Sequence, residues 1–119
     1  MKYLLMIYGN QEKWDSLPAE EWPKVVAAQD AFNKRFMESG ELIGAYGLAD
    51  AVNARLVRRV EGAPAVTDGP YLETKEYMAS FYLLDVSSEE RAYQIAAEMP
   101  IADQEPVEVW PVPHEAPRP

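Results

Sequence analysis

The chain has 119 residues, no cysteine, one histidine, and 20 acidic against 11 basic residues, for a formal charge of −9. Such a sequence has no route to a disulfide framework, a thiolate nucleophile or a cysteine-ligated metal, and one histidine cannot build a polyhistidine site. The acidity counts against direct nucleic-acid binding, which needs a Lys/Arg footprint, and the length with 48% hydrophobic content fits one soluble globular domain with its own core.

The apolar run Met1–Tyr8 reads as a strand over residues 2–8. It stops at Gly9-Asn10, far short of the roughly 18–20 residues needed to span a bilayer, and it lacks a cleavage-site pattern. A cytoplasmic protein with no membrane association is therefore expected. Residues 9–17 read as a loop and residues 18–39 as a long helix, with a regular start nearer Pro23 the alternative that this proline leaves open. Pro18 suits its first turn, Glu20 and Glu21 suit its positive end, and Gly40 is a left-handed stop. Trp22, Val25, Phe32 and Phe36 fall on one helical face.

Residues 41–48 and 54–60 are strands joined through 49–53. A turn at 61–64 leads to a short return strand at 65–67. The polar stretch 68–76 follows. Residues 77–86 form the most pronounced strand. Ser87 with Glu90 has capping-box spacing and opens a second helix. Its inner stripe is Ala92, Ile95, Ala96 and Met99, and Pro100 ends it. A last strand covers 106–112. A proline-rich tail, 113–119, is expected to be extended and partly disordered.

With the short return at 65–67 left out of the count, this order, β-α-β-β-β-α-β, is a ferredoxin-like α+β pattern: one antiparallel sheet with two helices on one face. Leu5 and Ile7 alternate with Leu4 and Met6 in the first strand. Tyr82 and Leu84 alternate with Phe81 and Leu83 in the strand at 77–86. Strands apolar on both faces need two covers, and two helices supply one. A homodimer packed sheet against sheet is the economical second cover.

The string Val66-Thr67-Asp68-Gly69-Pro70-Tyr71-Leu72-Glu73-Thr74-Lys75-Glu76 resembles the signature of the DGPF branch of the YCII-related superfamily. The opening Met1–Gly9, Gly40-Glu41-Leu42 and the closing Val107–Val112 also fit, so the resemblance spans residues 1–112. Tyr71 stands where the name-giving motif has Phe. The resemblance implies a dimeric α/β barrel of ferredoxin-like protomers. Some of that superfamily are small enzymes with a proposed His–Asp acid/base pair. The one histidine here, His114, lies in the tail, so that pair has no counterpart. Proximity of family members to sigma-factor genes implies a role in transcription initiation.

Candidate catalytic residues are Asp68, Lys75, Glu73 and Glu76. Carboxylates, an amine and the Tyr71 phenol in one loop could divide acid and base roles if burial split their pKa values. The competing reading is turn chemistry for Asp68-Gly69-Pro70 and surface pairing for Lys75 and Glu76. Candidate ligand-binding residues are Tyr71, Tyr8, Arg58, Ser80, Tyr82 and Glu108, with Trp110, which interrupt apolar strand patterns. Arg55, Arg58 and Arg59 form the one basic cluster and read as edge-strand charge or intersubunit pairing. No metal or cofactor is expected. The function these features support is a dimeric barrel that binds a small polar or acidic molecule near residues 68–76, with cofactor-free acid/base chemistry open to it. The alternative is a non-enzymatic regulatory module with a protein partner in sigma-factor-dependent transcription.

Overall fold

In the computed structural model, which describes residues 1–68 and 77–119, alternating apolar side chains at the N-terminus form a central strand. The elements are β1 (Lys2–Gly9), α1 (Gln11–Ser16), α2 (Trp22–Glu38), β2 (Leu42–Gly47), β3 (Arg55–Val60), β4 (Ala63–Asp68), β5 (Tyr77–Asp85), α3 (Glu89–Ala97) and β6 (Glu108–Pro111). Single 3-10 turns occupy Ala19–Glu21, Ala51–Asn53 and Pro100–Asp103. Four strands make one antiparallel sheet in the order β2-β5-β1-β6, and β3 pairs with β4 as a separate hairpin. Without the hairpin, the sheet order and the helices α2 and α3 give the ferredoxin-like arrangement expected.

β1 divides its side chains by strict alternation. Tyr3, Leu5 and Ile7 are buried on the helix side; Leu4, Met6 and Tyr8 are half-buried on the other. Register carries this division to the neighbours: Leu5 faces Tyr82, Leu4 faces Leu83 and Met6 faces Phe81. The core joins these residues to Phe32 and Phe36 of α2, to Ala92, Ile95 and Ala96 of α3, and to Met99, Leu42, Leu84 and Val86. Each large aliphatic or aromatic side chain buried there contributes about 1.5–3 kcal/mol. The molecule is only 21 Å thick, the depth of one sheet and one helix layer.

The helix ends are tied by charge. Arg91 grips the carboxylate of Glu41 with two donors, Nε to Oε2 at 2.7 Å and Nη2 to Oε1 at 2.8 Å. This bidentate bond holds the Glu41 carboxyl below its ordinary range, against a smaller opposing effect of desolvation. Arg35 lies over the Phe36 ring at 4.8 Å and Arg91 at 5.9 Å. The start of β2 is thereby fastened to both helices.

Several local expectations are corrected. Residues 9–17 contain a helix, α1, because the Asn10 side chain caps it by accepting from the Glu12 N–H at 2.9 Å. Of the two starts open for the long helix, the structure takes the one beside Pro23: α2 begins at Trp22, after a separate 3-10 turn. Its apolar face is buried at Phe32 and Phe36, whereas Trp22 and Val25 remain exposed, so only the C-terminal half of α2 covers the core. The cap of α3 is Ser88, whose Oγ accepts from the Arg91 N–H at 3.1 Å; Ser87 lies one residue too early. The return strand is longer than expected and takes in Pro64 and Asp68. The last strand is shorter, Glu108–Pro111. The tail has no regular structure, but it is tied to the body by Val112 N–H to Lys2 O at 2.9 Å and by a Lys2–Glu115 ion pair.

Candidate functional site

The sheet face opposite the helices has no cover among the described residues, and it is where aromatic and polar side chains gather. Register builds it. Trp110 pairs with Leu4 and Glu108 with Met6 along β6. Phe81 and Leu83 of β5 face Met6 and Leu4. Tyr46 of β2 faces Phe81, and their rings stack at 4.9 Å and 25°. Tyr8 follows Met6 by two residues and so is a diagonal neighbour of Glu108.

Glycine makes the Tyr46 position available. A Cβ on Gly44 would lie 2.6 Å from the Tyr46 hydroxyl and 2.7 Å from Cε2. The phenol therefore lies back over bare backbone, two residues earlier on the same face, and reaches Phe81. Tyr46 is the site residue that reasoning from sequence missed. The available signal was a glycine two positions before an aromatic in a strand.

The polar groups sit at one edge of this aromatic surface. The indole Nε1–H of Trp110 donates to Oε1 of Glu108 at 2.8 Å, which fixes the carboxylate beside the rings and leaves its remaining lone pairs available as acceptors. Trp110 is 55% exposed and Tyr46 51%. These are large values for aromatic side chains inside a regular strand. The face can offer flat stacking surface, a carboxylate acceptor and a phenol.

The other sequence-level candidates are placed elsewhere. Tyr82 and Ser80 lie on the helix side of β5, opposite Leu5 and Ile7. Tyr82 is buried, edge-on to Phe32 at 6.2 Å. Burial raises the pKa of its phenol, and a hydrogen bond with Ser80 opposes that rise. These two residues therefore belong to the core layer and do not share a face with Tyr8 and Glu108. Arg58 lies on β3, outside the main sheet, opposite Ala65. Asp68 ends β4 and is exposed, 3.6 Å from the Arg55 guanidinium. Tyr71, Glu73, Lys75 and Glu76 lie outside the described residues.

Two shallow depressions lie on the helix side of the sheet. One, of about 250 Å³, is lined by Tyr93, Ala96, Ala97, Ala102, Val107 and Val109. The other, of about 180 Å³, lies between α2 and Glu98. Neither is lined by a predicted site residue. Among the described residues no group of three or more His, Asp or Glu side chains could hold a metal ion. No described helix is long and apolar enough to cross a membrane.

A four-stranded antiparallel sheet, helices on one face and an aromatic second face left open define a ferredoxin-like α+β protein whose free face is its distinguishing surface. The chain belongs to the YCII-related domain family, whose family model matches residues 1–114. A curated protein of Rhizobium meliloti (strain 1021), described as uncharacterised, is 29% identical over 99 residues, which is 83% of this chain and 80% of the relative.

Proposed function

We propose that this YCII-related protein is a homodimer that binds a small polar molecule between two facing sheets. The observation that carries the reading is the open face: Leu4, Met6, Phe81, Leu83, Tyr46 and Trp110 form one apolar patch with a hydrogen-bonded carboxylate at its margin. Contiguous apolar surface of this kind marks an interaction site. A pocket with apolar walls and a few convergent polar groups is the usual form of a small-molecule site. Glu108 supplies the acceptor and Tyr8 a phenol that donates or accepts. The ligand they suit is flat, with a hydrogen-bond donor on its rim. Any chemistry performed there would be cofactor-free proton transfer, with Glu108 as the base within the sheet. Asp68, Lys75, Glu73 and Glu76 are the further acid/base candidates for such a transfer.

The test has two arms. Light scattering at micromolar concentration is expected to give twice the 13.4 kDa chain mass; a value of 13.4 kDa refutes the dimer. Thermal-shift screening of small hydroxy acids, lactones and phenols is expected to yield a binder, since a ligand held only by the folded state raises the melting temperature by mass action. Glu108→Gln should abolish that shift while leaving the unliganded melting temperature within about 2 °C, because the isosteric amide still accepts from the Trp110 indole and a change of about 0.5 kcal/mol or less moves the midpoint by no more than that. A binder whose shift is equal in Glu108→Gln refutes the assignment of this face.

A further inference from the structure

Several local devices bring three aromatic side chains together at the end of β1, outside the core. β5 carries one extra residue there: Ile7 pairs with Ser80 but Tyr8 with Met78, so Ala79 is a bulge. Strict alternation would set Tyr77 on the open face with Phe81. The bulge turns it to the helix side, opposite Gly9. A Cβ on Gly9 would lie 2.6 Å from Nε1 of Trp14 and 3.0 Å from Cβ of Ala79, so the Trp14 indole rests on bare backbone. Asn10 caps α1, the short helix that carries Trp14 back over this glycine. Trp22, the first residue of α2, stacks on Trp14 with ring centroids 5.8 Å apart and planes at 26°. The Trp14 indole also hydrogen-bonds the Tyr77 phenol.

None of the three belongs to the buried core, and Trp22 shows 37% of its surface to solvent. Val25 and Val26, one turn along α2, are exposed too and extend this surface. Its surroundings are negative. Glu12, Asp15, Glu20 and Glu21 against Lys13 leave residues 12–22 at −3, and Lys13 is ion-paired with Glu105. Asp50 arrives from the segment after β2, where the Leu48 N–H donates to the bulge carbonyl of Ala79 at 2.9 Å. Burial raises the pKa of the Tyr77 phenol, the Asp50 charge adds to the rise, the Trp14 hydrogen bond opposes it, and Asp15 adds a smaller rise. Both carboxylates are therefore felt at the aromatic cluster. An aromatic surface in a negative field attracts an organic cation, because the ring faces and the carboxylates act in the same sense.

We propose that Trp14, Trp22 and Tyr77 form a binding site for a small methylated ammonium ion, with Asp15 and Asp50 as its counter-charge. Methyl groups on the cation match the site: they pack on the Trp22 ring and the valines beside it, while the charge stays in the field of the carboxylates. The inference stands apart from the sheet-to-sheet dimer and from the ligand of the open face. This cluster lies on the helix side of the sheet, whereas Glu108 and Trp110 lie on the other.

The probe is choline, and its uncharged carbon isostere dimethylbutanol is the comparison. The chain has three tryptophans, so the indole N–H resonances of 15N-labelled protein report on both faces at once. Choline should move the Trp14 and Trp22 resonances with a millimolar Kd and leave Trp110 in place. The isostere should bind at least about threefold more weakly, the share of a cation–π contact at an exposed ring. Trp22→Leu should raise the choline Kd at least about threefold, with circular dichroism as the control for the fold. Asp50→Asn should raise it less, and that increment should fade as salt screens the exposed charge. Fluorotryptophan labelling covers a Trp22→Leu chain that does not fold: it keeps the ring shape but weakens its negative face, so it should weaken choline and spare the isostere. Equal affinity for choline and the isostere, or a choline Kd unchanged in Trp22→Leu, overturns the site. Trp14 and Trp22 resonances unmoved by choline overturn it as well. A shift of Trp110 alone places the cation on the open face and overturns its assignment to this cluster.

Discussion

Gly44→Ala tests whether the open face is a designed aromatic surface. The added Cβ would meet the Tyr46 ring at 2.6–2.9 Å, and all three of its nearest atoms belong to that one side chain. The closest contacts are all with the far end of this one side chain, so relief comes from rotating the phenol off Phe81. The loss is the Tyr46–Phe81 stack, about 0.5–1.5 kcal/mol for a well-placed aromatic pair and toward the lower end for rings so exposed. Against it stands the gain of replacing glycine in a strand, about 0.5–1 kcal/mol. The two nearly cancel, and the chemical-denaturation stability of the protomer is expected to stay within about 1 kcal/mol, or about 4 °C in melting temperature. The near-UV circular dichroism of the stacked rings should fall, and dimer affinity should fall with it. Tyr46→Ala should mimic the spectral change. In that background Gly44→Ala should be neutral or stabilising, so the cycle gives a coupling of about 1 kcal/mol. A loss above about 3 kcal/mol for Gly44→Ala alone, or an unchanged near-UV spectrum, would refute the reasoning, since either result means the ring does not yield.

Other substitutions separate core, cap and charge effects. Leu5→Ala removes a fully buried side chain between sheet and helices and should cost about 2–5 kcal/mol in urea unfolding. Ser88→Ala should cost about 1 kcal/mol by loss of the α3 cap, with Ser87→Ala inside about 0.5 kcal/mol; equal costs would contradict the cap placement. Glu41 has its folded-state pKa lowered by Arg91. Its contribution is therefore present above the carboxyl's unfolded pKa and is lost as pH falls through the lower folded value. Glu41→Gln should lower stability at pH 7 and flatten the decline of stability between pH 5 and pH 2, measured by urea titration at each pH. Trp110→Ser frees the Glu108 carboxylate from its indole donor and removes apolar surface. It should weaken the dimer in light scattering with little change in the secondary-structure signal.

Much of the architecture was legible because burial in strands follows parity. The Leu4/Leu5/Met6/Ile7 and Phe81–Leu84 runs could be assigned to two faces before any coordinates, and the sheet separates them as expected. What parity could not supply was which face is which for an isolated polar residue. Tyr82 and Glu108 looked alike as interruptions of apolar strands. One pairs with Leu5 and enters the core, while the other pairs with Met6 and reaches the open face. The choice is made by register between strands distant in sequence, and no local pattern encodes it.

The sequence by itself determined the order of the four sheet strands and the two long helices, the helix and strand stripes that form the core, and the exclusion of thiol and polyhistidine chemistry. Those properties depend on residue type and on periods of two and 3.6, which are local. The tertiary structure decided that Tyr46 stacks on Phe81 over a glycine, that Trp110 holds Glu108, and that the basic hairpin stands apart from the sheet. Each of these depends on distances between segments tens of residues apart, which are set only when the strands pair and the helices choose one face.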